Sequence, residues 1–170
     1  MPPLVWTKFK IPPLRAKSVL RPRLLEKLNR GLESRLILIS APAGFGKTTL
    51  LVQWLQNLAW PALWIALEEA DDDPIRFFTA WITCLQQAIP SYCEDVLQIL
   101  LTAQLPPADL LAAEFINPLT QLNQSMIIVL DDFQHIQNQT ILRFLQDLIA
   151  YQPNEFHLAI LSREDPPLPL

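Results

Sequence analysis

The chain has 170 residues, 51% of them hydrophobic and 18% charged, with a net charge of −4. It is long enough for one domain with a buried core and too apolar for a disordered chain. No stretch approaches the roughly 18 apolar residues that cross a bilayer, and Met1-Pro-Pro-Leu-Val-Trp-Thr-Lys-Phe-Lys10 lacks the apolar segment of a signal peptide. Cys84 and Cys93 make no metal-ligand spacing and imply no structural disulfide. The expectation is therefore a cytoplasmic protein with no membrane partner. Charge is uneven: residues 1–50 hold ten Lys/Arg and two Glu, and residues 51–170 hold three Arg and fifteen acids.

In chain order, residues 1–18 are punctuated by proline and read as an extended N-terminal arm. A domain over 19–170 follows. Arg21-Pro22 opens a helix, since proline suits the first helical position. Leu24, Leu25, Leu28 and Leu32 recur at helical spacing, and Gly31 is a stop. Leu36–Ser40 reads as a buried strand and Thr48–Leu58 as a helix ended by Trp60-Pro61. Ala62–Leu67 is a second strand. Asp73 and Pro74 then supply the N-cap and first residue of a helix to about Ile89, before Pro90. Further helices are expected near 92–102 and 108–123. Ser125–Leu130 reads as a third strand, Ile141–Tyr151 as an amphipathic helix and His157–Leu161 as a fourth strand. Apolar strands alternating with helices imply an α/β fold, a parallel sheet between two helical layers. Ligands of such sheets bind beyond the carboxyl ends of the strands.

Between the first strand and its helix lies Ala41-Pro-Ala-Gly-Phe-Gly-Lys47-Thr48-Thr49. A strand running into a tight glycine loop and a helix opening on Lys-Thr is the layout of a phosphate-binding loop. Loop and helix N–H groups converge on one point with partial positive charge, where a polyphosphate fits. The usual G-x-x-x-x-G-K-[ST] pattern has Ala41 in place of its first glycine. Ala43, Gly44, Phe45, Gly46, Lys47, Thr48 and Thr49 are the loop residues expected to hold nucleotide.

Met126-Ile-Ile-Val-Leu-Asp131-Asp132 supplies the acidic strand end such a loop needs. Asp131 and the Thr48 hydroxyl are the expected Mg²⁺ ligands. Asp132 is the candidate to orient an attacking water. Arg163 follows the fourth strand, where a cation can sense a γ-phosphate and offset charge developing during phosphoryl transfer. The alternative is a solvated arginine paired with Glu164 or Asp165. His135, Glu68 and Glu69 are weaker candidates, His157 reads as a strand residue, and the five Trp read as packing. No helix-turn-helix, zinc pattern or basic-aromatic cluster accompanies the basic half, so direct nucleic-acid binding is not expected. Its cations are read as facing nucleotide phosphates and the acidic remainder of the domain.

With these residues placed, the chain resembles the ATP-binding domain of MalT-like, LuxR-type large transcriptional activators, which are signal-transduction ATPases with numerous domains related to AAA+ proteins. The matching stretches are Thr7-Lys8-Phe9 with Pro12 and Arg15, Val19-Leu20-Arg21-Pro22-Arg23-Leu24, Leu38 to Thr49, Glu69-Ala-Asp-Asp-Asp-Pro74, Val129 to Asp132 with His135, and Ser162-Arg163 with Asp165-Pro166-Pro167. The resemblance implies a three-layer P-loop NTPase and a slow ATPase switching between ADP and ATP states. It puts Val19 and Arg21 beside adenine, Lys47 on the β- and γ-phosphates, Thr48 and Asp131 on Mg²⁺, and Arg163 as a sensor. It also implies strand order 5-1-4-3-2, with the fifth strand, a winged helix, inducer-binding repeats and a helix-turn-helix expected beyond this chain. On that reading the chain is a fragment, a split-gene product, a degraded gene or an isolated module. The strand at 35–40 is then an uncovered apolar edge, and self-association is expected.

Three functions compete at this point: an ATP-binding switch module, a small-molecule phosphotransferase on the same loop, and a partner-binding module that keeps the loop without turnover. A phosphotransferase usually brings several lid arginines, whereas only Arg76, Arg143 and Arg163 follow Lys47.

Overall fold

A computed structural model describes residues 5–14, 18–106 and 108–168. Its centre is a parallel sheet of β1 (Leu36–Ser40), β2 (Ala62–Ala66), β3 (Met126–Asp131) and β4 (Phe156–Ser162), in the order β1-β4-β3-β2. Ile37 aligns with Ala159, Val129 with Ala159, and Trp64 with Val129 across the three ladders. The observed order agrees with the 1-4-3-2 part of the expected topology, and β1 is the edge of the described sheet.

Every residue of β3 and β4 is buried, because both faces of these central strands are covered. Side-chain alternation sorts the core by parity. Ile128, Leu130, Leu158 and Ile160 face a large core shared with α3 (Pro74–Leu85), α4 (Glu94–Leu101), α5 (Ala108–Ile116) and α6 (Gln139–Tyr151). Ile127, Val129, Ala159 and Leu161 face a smaller core under α1 (Pro22–Gly31) and α2 (Lys47–Leu55). The large core centres on aromatics. The Phe78 ring lies 5.2 Å from those of Phe115 and Phe144, and the Trp81 ring 5.3 Å from that of Phe144. Truncating one of these rings to Ala would cost about 3–5 kcal/mol.

β1 occupies the expected residues, and the Asp73 side chain caps α3 through the Arg76 N–H at 2.9 Å. Three helices end earlier than periodicity predicts, each near a proline. α3 stops at Leu85 rather than near Ile89, since Ile89 precedes Pro90 and is biased away from helix. α5 stops at Ile116, and the chain tightens into a 3₁₀ turn at Asn117–Gln121 because Pro118 has no N–H to donate. α2 stops at Leu55, ahead of Trp60-Pro61.

The arm differs from expectation. Trp6–Phe9 is a 3₁₀ turn rather than extended chain, with Lys8 and Phe9 buried. Residues 1–4 and 15–17, and with them Arg15 of the N-terminal motif, lie outside the described residues.

Candidate nucleotide-binding site

β1 delivers the chain to the loop, and α2 carries it away. Gly44 and Gly46 have φ of 84° and 79°, the left-handed region that a side chain resists. Ala41 is absent from that region, which is why it can stand where glycine is usual. The Lys47 ammonium donates to the Ala41 carbonyl at 2.6 Å and the Pro42 carbonyl at 3.2 Å, so it is held over its own loop.

Sheet parity explains the acidic partner. Asp131 continues the odd-numbered positions of β3, which face α2, so its carboxylate meets the first turn of that helix. The Thr48 hydroxyl donates to Asp131 Oδ2 at 3.3 Å. The other oxygen accepts the Asp132 N–H at 2.9 Å. Burial pushes the Asp131 carboxyl above the ordinary value of 3.8, and the Asp132 charge adds to that. The Asp132 N–H, the Thr48 hydroxyl and the Lys47 charge oppose it. A buried carboxylate held in this way is improved by a divalent cation. A hydroxyl beside one carboxylate, with phosphate and water completing the shell, is a donor set that suits Mg²⁺. These residues fit the metal.

Asp132 turns the chain with φ of 55°, a conformation Asp tolerates, into a 3₁₀ turn at Phe133–His135. Its Oδ1 accepts from Gln134 Nε2 at 2.9 Å and lies 3.5 Å from the Arg163 guanidinium. The Gln134 amide oxygen in turn accepts the Arg163 N–H at 3.1 Å. Gln134 thus ties the acidic strand end to the candidate sensor. Sequence reading passed over it, because a glutamine in a turn carries no motif.

The loop, Asp131, Asp132 and Arg163 line one cleft of about 630 Å³, closed on one side by Pro12, Pro13 and Leu14. Those three arm residues were also missed as site residues. A smaller recess of about 160 Å³ sits against the loop's other flank, lined by Val19, Arg21, Gly46, Thr49, Leu50 and Gln53. The Val19 carbonyl accepts from Gln53 at 3.3 Å, and the Arg21 guanidinium donates to the Phe45 carbonyl at 3.1 Å. Phe45 itself points into solvent.

Of the weaker candidates, Glu68 has structural partners: it caps the Glu69–Asp72 turn and pairs with Arg76. His157 is buried near the amino ends of the strands, stacked on Trp60 at 4.9 Å. Trp54, Trp64 and Trp81 are core residues, whereas Trp6 is exposed. Arg76 is closed in an ionic cluster, and Arg143 lines a separate groove beside α5. Of the three arginines after Lys47, only Arg163 reaches the cleft.

Comparison with known proteins agrees with this geometry. Residues 20–161 match the AAA ATPase domain. The chain is 33% identical over 165 residues to the HTH-type transcriptional regulator MalT of Yersinia enterocolitica, and 29% identical over 152 residues to MalT of Vibrio cholerae. It spans about 18% of the length of the Yersinia protein, with 97% of its own length matched. Among solved structures, the Walker-type ATPase PABY2304 of Pyrococcus abyssi superimposes with a TM-score of 0.52 at 18% identity, over 88% of this chain and 47% of that one. That likeness concerns the fold. The match over most of the length, together with the loop and its acidic partner, establishes that this chain belongs to the AAA ATPase domain family and is a MalT-like nucleotide-binding domain.

Proposed function

We propose that the chain is an ATP/ADP switch module of a MalT-like transcriptional regulator, hydrolysing ATP slowly. The observation that carries this reading is the meeting of the Thr48 hydroxyl with the Asp131 carboxylate beside Lys47, at the mouth of a cleft large enough for a nucleoside triphosphate. Mg²⁺ bound there would offset negative charge between the β- and γ-phosphates. The loop N–H groups of residues 43–49 cradle the phosphates, and Lys47 exchanges its loop carbonyls for β- and γ-oxygens. Val19 and Arg21 border the recess assigned to adenine. Asp132, positioned by Gln134, orients water, and Arg163 reads the γ-phosphate. A dwelling ATP state suits a switch, and regulation of transcription is what the names of the matched relatives state for those proteins.

The phosphotransferase alternative gains nothing from the arginines, since Arg76 and Arg143 are placed away from the cleft. The reading includes a cytoplasmic location. It also includes self-association through the β1 edge, which sedimentation tests: Leu38→Lys should shift the parent chain toward monomer.

Calorimetry with Mg·ATP and Mg·ADP tests the central reading. Charge-assisted phosphate bonds contribute roughly 1.5–3 kcal/mol each, so Lys47→Ala should weaken ATP by about tenfold or more. A folded parent chain that binds neither nucleotide at millimolar concentration would refute it.

A further inference from the structure

The arm does more than precede the domain. Phe9 belongs to the large core on one side of the sheet, whereas Leu14 packs against the smaller core on the other. Residues 10–13 therefore cross over the carboxyl edge of the strands, the edge where the cleft opens. Two consecutive prolines with fixed φ make that crossing stiff. Pro12, Pro13 and Leu14 line the cleft together with the loop.

The near end of the crossing is anchored by charge. Lys8, only 9% exposed, donates to both oxygens of Asp71 at 2.7 and 2.8 Å. Asp71 is fully buried and also accepts from Arg76 Nε at 3.0 Å and the Glu68 N–H at 2.9 Å. Arg76 closes the group on Glu68, so two cations meet two carboxylates. The adjacent residue, Asp72, accepts the Gln137 and Asn138 N–H groups at 2.7 Å each. The Glu69–Asp72 turn thus grips the arm with one carboxylate and, with the next, the segment that leaves Asp132 and Gln134.

We propose that Lys8 is a positioning residue for nucleotide binding: its ion pair with Asp71 holds the proline crossing as a wall of the cleft and so slows release of a bound nucleoside di- or triphosphate. The proposal rests on the nucleotide reading of the cleft. Lys8 is itself the anchor of the arm and lines no part of the cleft.

The test is stopped-flow release of a fluorescent ADP and ATP, each with Mg²⁺, alongside melting of the nucleotide-free chain. Lys8→Met and the double variant Pro12→Gly/Pro13→Gly should each release nucleotide roughly three- to tenfold faster than the parent, while Lys8→Arg stays near the parent. The proline variant leaves the ion cluster intact, so it decides the matter even where Lys8→Met fails to fold. A role confined to stability would lower melting and leave release unchanged. A folded proline variant that releases nucleotide at the parental rate overturns the proposal, whatever Lys8→Met does. A folded parent that binds no nucleotide defeats the nucleotide reading and this proposal with it, and that outcome is read on the parent before any variant.

Discussion

The cluster of Lys8, Asp71 and Arg76 and the ion pair of Asp132 with Arg163 lie at the same end of the sheet, but their surroundings differ. In the first, Asp71 is fully buried and every oxygen is taken. In the second, the partners are 42% and 54% exposed, 3.5 Å apart, and open to the cleft. Charge closed away from water holds only if every partner is present. Charge left in water contributes little to folding but is free to meet a ligand. One end of a parallel sheet thus carries both a closed ionic cluster and an open ion pair, and solvent access separates them.

The largest expected effect breaks the closed cluster. Lys8→Met leaves Asp71 and its neighbours short of a buried cation and should cost about 3–5 kcal/mol, read by denaturant unfolding. Arg163→Ala should stay within about 0.5 kcal/mol in the same experiment. Equal losses would mean that the two sites are not built differently.

Arg163 should matter instead to discrimination. Only ATP offers a γ-phosphate, so Arg163→Ala should reduce the ratio of ADP to ATP dissociation constants by up to about tenfold. An unchanged ratio by calorimetry removes Arg163 from the site.

Asp131 offers a finer test. Its carboxyl is raised above 3.8 chiefly by burial. Just above 3.8 the folded state holds a proton that the unfolded state has released. Stability of the nucleotide-free chain should therefore fall as pH rises above 3.8. Asp131→Asn should raise the melting temperature of the nucleotide-free chain by a few degrees and weaken its response to Mg·ATP. A lower melting temperature would show that the carboxylate is already well compensated.

The smallest effect lies at the opposite end of the strands. Burial holds His157 below 6.5, partly offset by Ser34 and Glu155. Its Nδ1 has no partner among the described residues. As pH drops below 6.5 the unfolded state takes up a proton that the folded state resists, so stability declines. His157→Gln should flatten that decline in thermal melts between pH 7 and 5 without changing nucleotide affinity. A shifted affinity would link the two ends of the sheet.

Much of this was legible in one dimension. Apolar runs of five to seven residues marked all four strands, and the two central ones, buried on both faces, need no polar alternation. Asp73-Pro74 marked the start of α3 because capping is local chemistry. Helix ends were less legible. At Ile89 and Asn117 a downstream proline reached back further than periodicity shows.

The sequence by itself determined the phosphate loop, its acidic partner and the layered α/β class. These depend on neighbours in the chain: two glycines at positive φ, a helix opening on Lys47-Thr48, and an apolar strand ending in Asp131. Only the tertiary structure decided what Lys8, Pro12 and Gln134 do. Lys8 meets Asp71 across 63 positions, and Gln134 meets Arg163 across 29. Spacing along the chain carries no trace of such pairs. They arise because parallel strands bring all their carboxyl ends to one edge, where residues distant in sequence share a surface.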